Sequence, residues 1–141
     1  MVEQLVHNNL LLAIIIKNNF RQSGIEFFTP GEFSQQLGYM NRPKGYIIEP
    51  HIHKHVERTV VLTQEVLLIK SGKVRIDFYD LDQTYVDERI VSRGDVILLA
   101  AGGHGFEILE DAEIIEIKQG PYVAAADKIR FSSPVSHKKA I

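Results

Sequence analysis

Three histidines alternate along one short stretch, His51, His53 and His55, with Glu49 and Glu57 two residues to either side. In an extended strand the side chains repeat with a period of two, so all five would point to one face, with Ile48, Ile52 and Val56 on the other. A face reading Glu-His-His-His-Glu makes a poor apolar core. It makes a good set of donors for one divalent transition metal ion, since imidazole and carboxylate together suit Fe, Mn, Ni, Zn or Cu. A run of this kind also fits a pH-sensitive surface patch. His104 is a further candidate ligand, flanked by Gly102, Gly103 and Gly105. Such a metal keeps positions open for water or substrate, and acts as a Lewis acid or activates water or dioxygen.

Basic and aromatic residues lie close to the histidines in sequence. Arg42, Tyr46 and Arg58, with Tyr39 and Lys44, are candidates to bind a carboxylate or phosphate at the mouth of a site. The tail Gln119-Gly120-Pro121-Tyr122, with Asp127-Lys128-Ile129-Arg130-Phe131, is expected to cover the domain or to join a dimer contact. His7 and His137, near the ends, read as solvent-exposed. There is no cysteine, so disulfides, thiolate metal sites and cysteine nucleophiles are excluded. Nor is there a Gly-rich phosphate loop, a nucleophile elbow or a dinucleotide fingerprint. No catalytic residue is assigned.

The elements that must position these groups read as strands. From residue 45 onward, apolar and β-branched residues alternate or run in short blocks, punctuated by Gly, Asp and Asn. The expected strands are Tyr46–Val56, Glu65–Lys70, Lys73–Tyr79, Glu88–Ser92, Val96–Leu99, Phe106–Leu109 and Glu113–Lys118. Ser71-Gly72 and Arg93-Gly94-Asp95 are expected turns. Leu10–Ile16 is a further strand, on the sheet or exchanged with a second subunit. Thr29-Pro30-Gly31-Glu32 has the form of a helix start, with Phe33 and Leu37 on one face and Gly38 ending a short helix. Many short strands with almost no helix predict an all-β sandwich or barrel.

At this level the chain resembles the cupins. Gly45, five residues and His51-Ile52-His53 match the opening of the first cupin motif; Glu65, six residues and Gly72 match its close. Gly94, five residues and Ala100-Ala101-Gly102-Gly103-His104 correspond to the second motif. The chain departs from the pattern in three ways. Glu65 follows His53 later than is usual, Ala100 stands where the family has proline, and the spacing from Gly94 to His104 is one residue short. The resemblance spans about residues 45–118 and implies a double-stranded β-helix, the cupin jelly-roll barrel. It implies His51, His53, Glu65 and His104 as metal ligands. His55 has no counterpart; it is expected to replace His51 in a shifted register or to face the substrate.

The 141 residues fit one cupin domain, 1–141. The near-neutral balance, net charge −2, gives no reason to expect nucleic-acid or membrane binding. The longest apolar run, Leu10–Ile16, is too short to span a bilayer, and the N-terminus lacks the form of a signal peptide, so a cytoplasmic protein is expected. The leading expectation is a metal-binding cupin that acts on or binds a small polar, anionic metabolite such as a sugar derivative. One alternative is a metal-independent sugar-nucleotide keto-isomerase or epimerase using histidine acid–base catalysis, as in the small cupins that isomerise keto-sugars on nucleotide carriers. Another is a non-enzymatic ligand-binding or sensor cupin. Exposed sheet edges predict a homodimer, through the N-terminal strand.

Overall fold

The computed structural model describes residues 1–123 and 127–132. Eight strands are present: β1 (Val2–His7), β2 (Leu10–Ile16), β3 (Gly24–Phe27), β4 (Gly38–Asn41), β5 (Glu65–Tyr79), β6 (Tyr85–Ser92), β7 (Val96–Leu99) and β8 (Gly103–Lys118). No helix occurs among the described residues. Six strands form one antiparallel sheet in the order β1-β2-β7-β5-β6, with β8 along the other side of β5; β3 and β4 form a separate hairpin. The large sheet curls into a half-barrel.

The curl originates in β5. Its first half pairs with β7 through Glu65↔Leu99 and Leu67↔Ile97, its second half with β6 through Lys73↔Ser92 and Ile76↔Arg89, and β8 follows both halves. The register against β8 slips three times between Ile69 and Val74. Sequence patterning places two strands here with a turn at Ser71-Gly72. The structure instead has one continuous, bent strand, and the expected strands Phe106–Leu109 and Glu113–Lys118 likewise merge into β8. Gly72 sits at the bend with φ +83°, and a Cβ there would collide with the Asp111 carbonyl of β8, so the two bent strands nest only because this residue has no side chain.

β2 and β7 are apolar without alternation because both of their faces are buried. Ala13, Ile15, Ile97 and Leu99 face the inner core with Leu67, Ile69, Val74, Ile76 and Phe78. Ile14, Ile16, Leu98 and Ala100 face a second cluster, covered by Phe20, Phe28, Phe33 and Leu37. Each fully buried Ile or Leu contributes about 1.5–3 kcal/mol relative to exposure, so these central strands hold the sheet. Leu10–Ile16 pairs with β1 and β7 of its own chain.

Two expected elements take other forms. The helix after Thr29 is absent; residues 29–37 form a compact loop between β3 and β4. Thr29 Oγ1 does accept a backbone N–H, but from Leu37, eight residues on. The Gln36 amide donates to the carbonyls of Pro30, Gly31 and Phe33, so side chains satisfy the backbone that a helix would have satisfied by itself. The expected strand Tyr46–Val56 is likewise absent. Residues 42–63 carry no regular structure and all are solvent-exposed. The alternating pattern is there, but among the described residues no strand pairs with it.

Candidate functional site

Bending of the β5/β8 ribbon brings together residues that its ladder keeps far apart. Glu65, at the start of β5, pairs with Lys118; His104, at the start of β8, pairs with Phe78 near the end of β5. Both side chains lie on the inner face, and the curl sets His104 Nε2 3.4 Å from Glu65 Oε2. Glu65 is only 8% exposed. Its neighbour Gln64 is also buried and fixes the approach to the strand. The Gln64 backbone N–H donates to Gln119, its side-chain amide donates to the Ala100 carbonyl, and its side-chain oxygen accepts from Gln35 N–H.

The electrostatics of the pair follow from these contacts. Hydrogen bonding from His104 holds the Glu65 carboxyl below its ordinary range, against burial, which pushes it up. Glu116, which pairs with Leu67 and so lies diagonal to Glu65 on the same face of the ribbon, is pushed up, first by desolvation and then by the negative charge on Glu65. With Glu65 held down and Glu116 pushed up, a proton taken up here goes to Glu116 before Glu65. Lys118 adds a positive charge nearby; its ammonium bonds Asp127 at 3.4 Å.

Glu65 and His104 line an open cavity of about 640 Å³, the size of many metabolite sites. Asp77 and Tyr79 from the end of β5 form another wall, and the segment 127–131 forms its rim. Phe131 packs edge-to-face on Tyr79, with ring centroids 5.0 Å apart, and Asp127 also accepts from the Thr63 hydroxyl. These contacts lay the tail across the cavity and place Lys128 and Arg130 in its lining. Gly102, with φ +73°, lets the strand before His104 press on the Tyr79 carbonyl, where any Cβ would collide. The cavity thus combines a histidine–carboxylate pair, a phenol, the further carboxylates Asp77 and Asp127, and the cations Lys128 and Arg130.

The residues singled out from sequence divide into two groups. His104 and Glu65 meet. His51, His53 and His55 lie on the exposed segment 42–63 and do not line this cavity. His51 and His53 stand side by side, ring centroids 5.4 Å apart, and the His51 ring contacts the Glu49 carbonyl. Glu57 is exposed on the same segment. Among the described residues no group of three or more His, Asp or Glu side chains is arranged to hold a metal ion. The expected ligand set is therefore not assembled within the chain as it stands, because the segment carrying three of its five members forms no strand beside β5 and β8. Arg42, Tyr46 and Arg58 are also outside the cavity; Arg42 stacks on Tyr46 at 4.4 Å, and Arg58 donates to the Val56 carbonyl. His7 is half-buried beside Asp80 rather than free in solvent, and His137 lies outside the described residues.

Sequence reading passed over Asp77, Tyr79 and Glu116 as site residues. Asp77 and Tyr79 sit in a strand whose pattern reads as ordinary core and surface, and only the bend brings their end of β5 to Glu65. Compared with known proteins, the chain matches no family model, no curated protein and no solved structure. No helix of the described chain is long and apolar enough to cross a membrane.

Proposed function

We propose that this half-barrel is a cupin-type domain that binds a small polar, anionic metabolite, such as a sugar derivative, in the cavity at Glu65 and His104, and moves a proton on it. One observation carries this reading: the only one of the candidate histidines that reaches the cavity is buttressed there by a buried carboxylate, opposite Lys128 and Arg130. Glu65 Oε2, 3.4 Å from His104 Nε2, favours the Nε2–H tautomer, which orients the imidazole and leaves Nδ1 to take or give a proton. Lys128 and Arg130 supply the charge that attracts an anion, Arg130 with a fork suited to carboxylate or phosphate. This favours the metal-independent acid–base alternative, with His104 in the role that the sequence resemblance gives to His51 and His53.

The test is a titration of ¹⁵N-labelled protein with sugar phosphates, nucleotide-sugars and dicarboxylates. Expected is binding that perturbs Gly102–Phe106 and weakens at least roughly tenfold in Arg130→Ala. Perturbations that leave Gly102–Phe106 untouched would sink the reading. Binding without turnover of any ligand would make the protein a sensor or carrier.

The metal-dependent reading has its own support in the paired rings of His51 and His53. It requires these histidines to join His104 and Glu65. Metal content decides it, measured on protein purified without tag or chelator beside His53→Ala and His104→Ala. One transition ion per chain, lost in both variants, would establish the site; no uptake of added Fe, Mn, Ni or Zn would leave His104 and Glu65 as an acid–base pair.

A further inference from the structure

Two surfaces of this chain lack a partner and complement each other. The first is the segment 46–58, without regular structure, exposed throughout and patterned as a strand. Its apolar side chains are bare: Ile47 is 79% exposed and Ile52 91%, with Tyr46, Ile48 and Val56 also out. Among the described residues, 47–63 make no main-chain hydrogen bond to another main-chain group. The base of the segment is anchored, since Thr59–Leu62 line a recess with Leu10, Leu11 and Phe33. The second surface is the outer edge of β8. This strand of 16 residues pairs with β5 alone among the described residues, and Phe106, Ile108, Leu109, Ile115 and Ile117 are exposed on it.

Their charges are opposite. The arm together with the turn that leads into it, residues 42–58, carries Arg42, Lys44, Lys54 and Arg58 against Glu49 and Glu57. β8 carries Glu107, Glu110, Asp111, Glu113 and Glu116 against Lys118; Arg75, Lys73 and Lys70 of β5 lie against Glu107, Glu110 and Glu113, and the β5/β8 ribbon as a whole stays net negative. A long edge with bare apolar side chains is a template for another strand, and natural proteins rarely leave one open. An extended segment of 13 residues reaches about 43 Å, close to the length of the edge.

We infer that the arm of one copy adds as a strand to the β8 edge of a second copy, and that the second copy returns the same contact across a two-fold axis. This is strand addition, in which main-chain hydrogen bonds supply affinity and side-chain pairing fixes the register. The occupant is a second copy because one chain presents both halves of the match, and a two-fold uses each twice. The inference does not depend on the ligand of the cavity, and it moves the expected dimer contact from the N-terminal strand to the arm.

Sedimentation of the full chain at micromolar concentration tests it with two charge-reversed variants. Lys54→Glu with Arg58→Glu gives an acidic arm; Glu110→Lys with Glu113→Lys gives a basic edge. All four positions are exposed. The wild type is expected to be a dimer, and each variant to dissociate at least roughly tenfold more readily. Mixing the two variants is expected to restore a heterodimer, because both arm–edge contacts are then attractive. A monomeric wild type overturns the inference, as does a dimer that either variant leaves intact or a mixture that fails to associate. If a variant loses its sheet signal by circular dichroism, carbodiimide cross-linking of mixed ¹⁴N and ¹⁵N wild-type protein takes its place. Mixed-isotope links between the arm and β8 peptides support the pairing; their absence overturns it.

Discussion

Glu65 and His104 touch across a bend, although the β5/β8 ladder places them at opposite ends: Glu65 is registered with Lys118, His104 with Phe78. Their contact measures how far the ribbon has folded on itself. It also makes the pair sensitive to pH. The folded-state pKa of Glu65 is depressed, so its contribution to stability is present above the unfolded value near 4.5 and is lost as pH falls through the folded value. Glu116 has the opposite sign: its raised folded-state pKa contributes below that value and is lost as pH rises through the raised one. Urea unfolding as a function of pH should therefore show a shallower acid limb in Glu65→Gln than in wild type. Glu116→Gln should steepen it. An unchanged acid limb in Glu65→Gln would mean that the contact with His104 does not stabilise the ionised carboxyl.

The bend itself is testable at Gly72. Alanine there must adopt a positive φ and displaces the Asp111 carbonyl, so Gly72→Ala should lose about 2–4 kcal/mol in chemical unfolding. Gly105→Ala serves as the control, because a Cβ there meets open space at a φ that is not positive; its loss should stay below about 1 kcal/mol.

Asp95 is the buried anchor of the β6–β7 turn. At 3% exposure it accepts from the backbone N–H groups of Asn18 and Ser92, both at 2.8 Å, and from Lys17 Nζ at 2.7 Å. Removing the carboxylate leaves these donors unmatched and should cost about 3 kcal/mol in Asp95→Ala. Lys17→Met should cost less, about 1 kcal/mol, since the two backbone donors keep their acceptor. Equal losses in the two variants would show that the ion pair, rather than the backbone contacts, dominates.

Tyr85 provides a spectroscopic check on the far end of β5 and β6, where its ring packs on Tyr79. Burial, followed by the nearby Glu88 carboxylate, pushes its phenol up to about 12. In ultraviolet titration its step should lie above the ordinary tyrosine range, and Tyr85→Phe should remove that step. The sign is that of a raised acid: the contribution is full below the unfolded value near 10 and disappears as pH rises through the folded one.

The amino-acid sequence by itself determined the all-β class and the strands Leu10–Ile16 and Val96–Leu99, whereas Glu65 and His104 entered as joint candidates only through the resemblance of motifs. Those features are local: period, composition and turn residues act within a few positions, and buried central strands announce themselves as unbroken apolar runs. The sequence pattern of Tyr46–Val56 is equally strand-like, yet among the described residues no strand pairs with it. A strand is completed by its neighbour, and no local pattern specifies whether that neighbour exists. The Thr29 start signal was diverted for a similar reason, since Gln36 and Leu37 compete for the same hydrogen bonds and the apolar cluster around Leu37 rewards a loop that buries it. Only the tertiary structure decided that β5 bends instead of turning back, and hence that His104 rather than His51 or His53 reaches Glu65. That choice rests on Gly72 fitting against Asp111 and on a core formed between two halves of one strand, contacts between residues tens of positions apart in the chain.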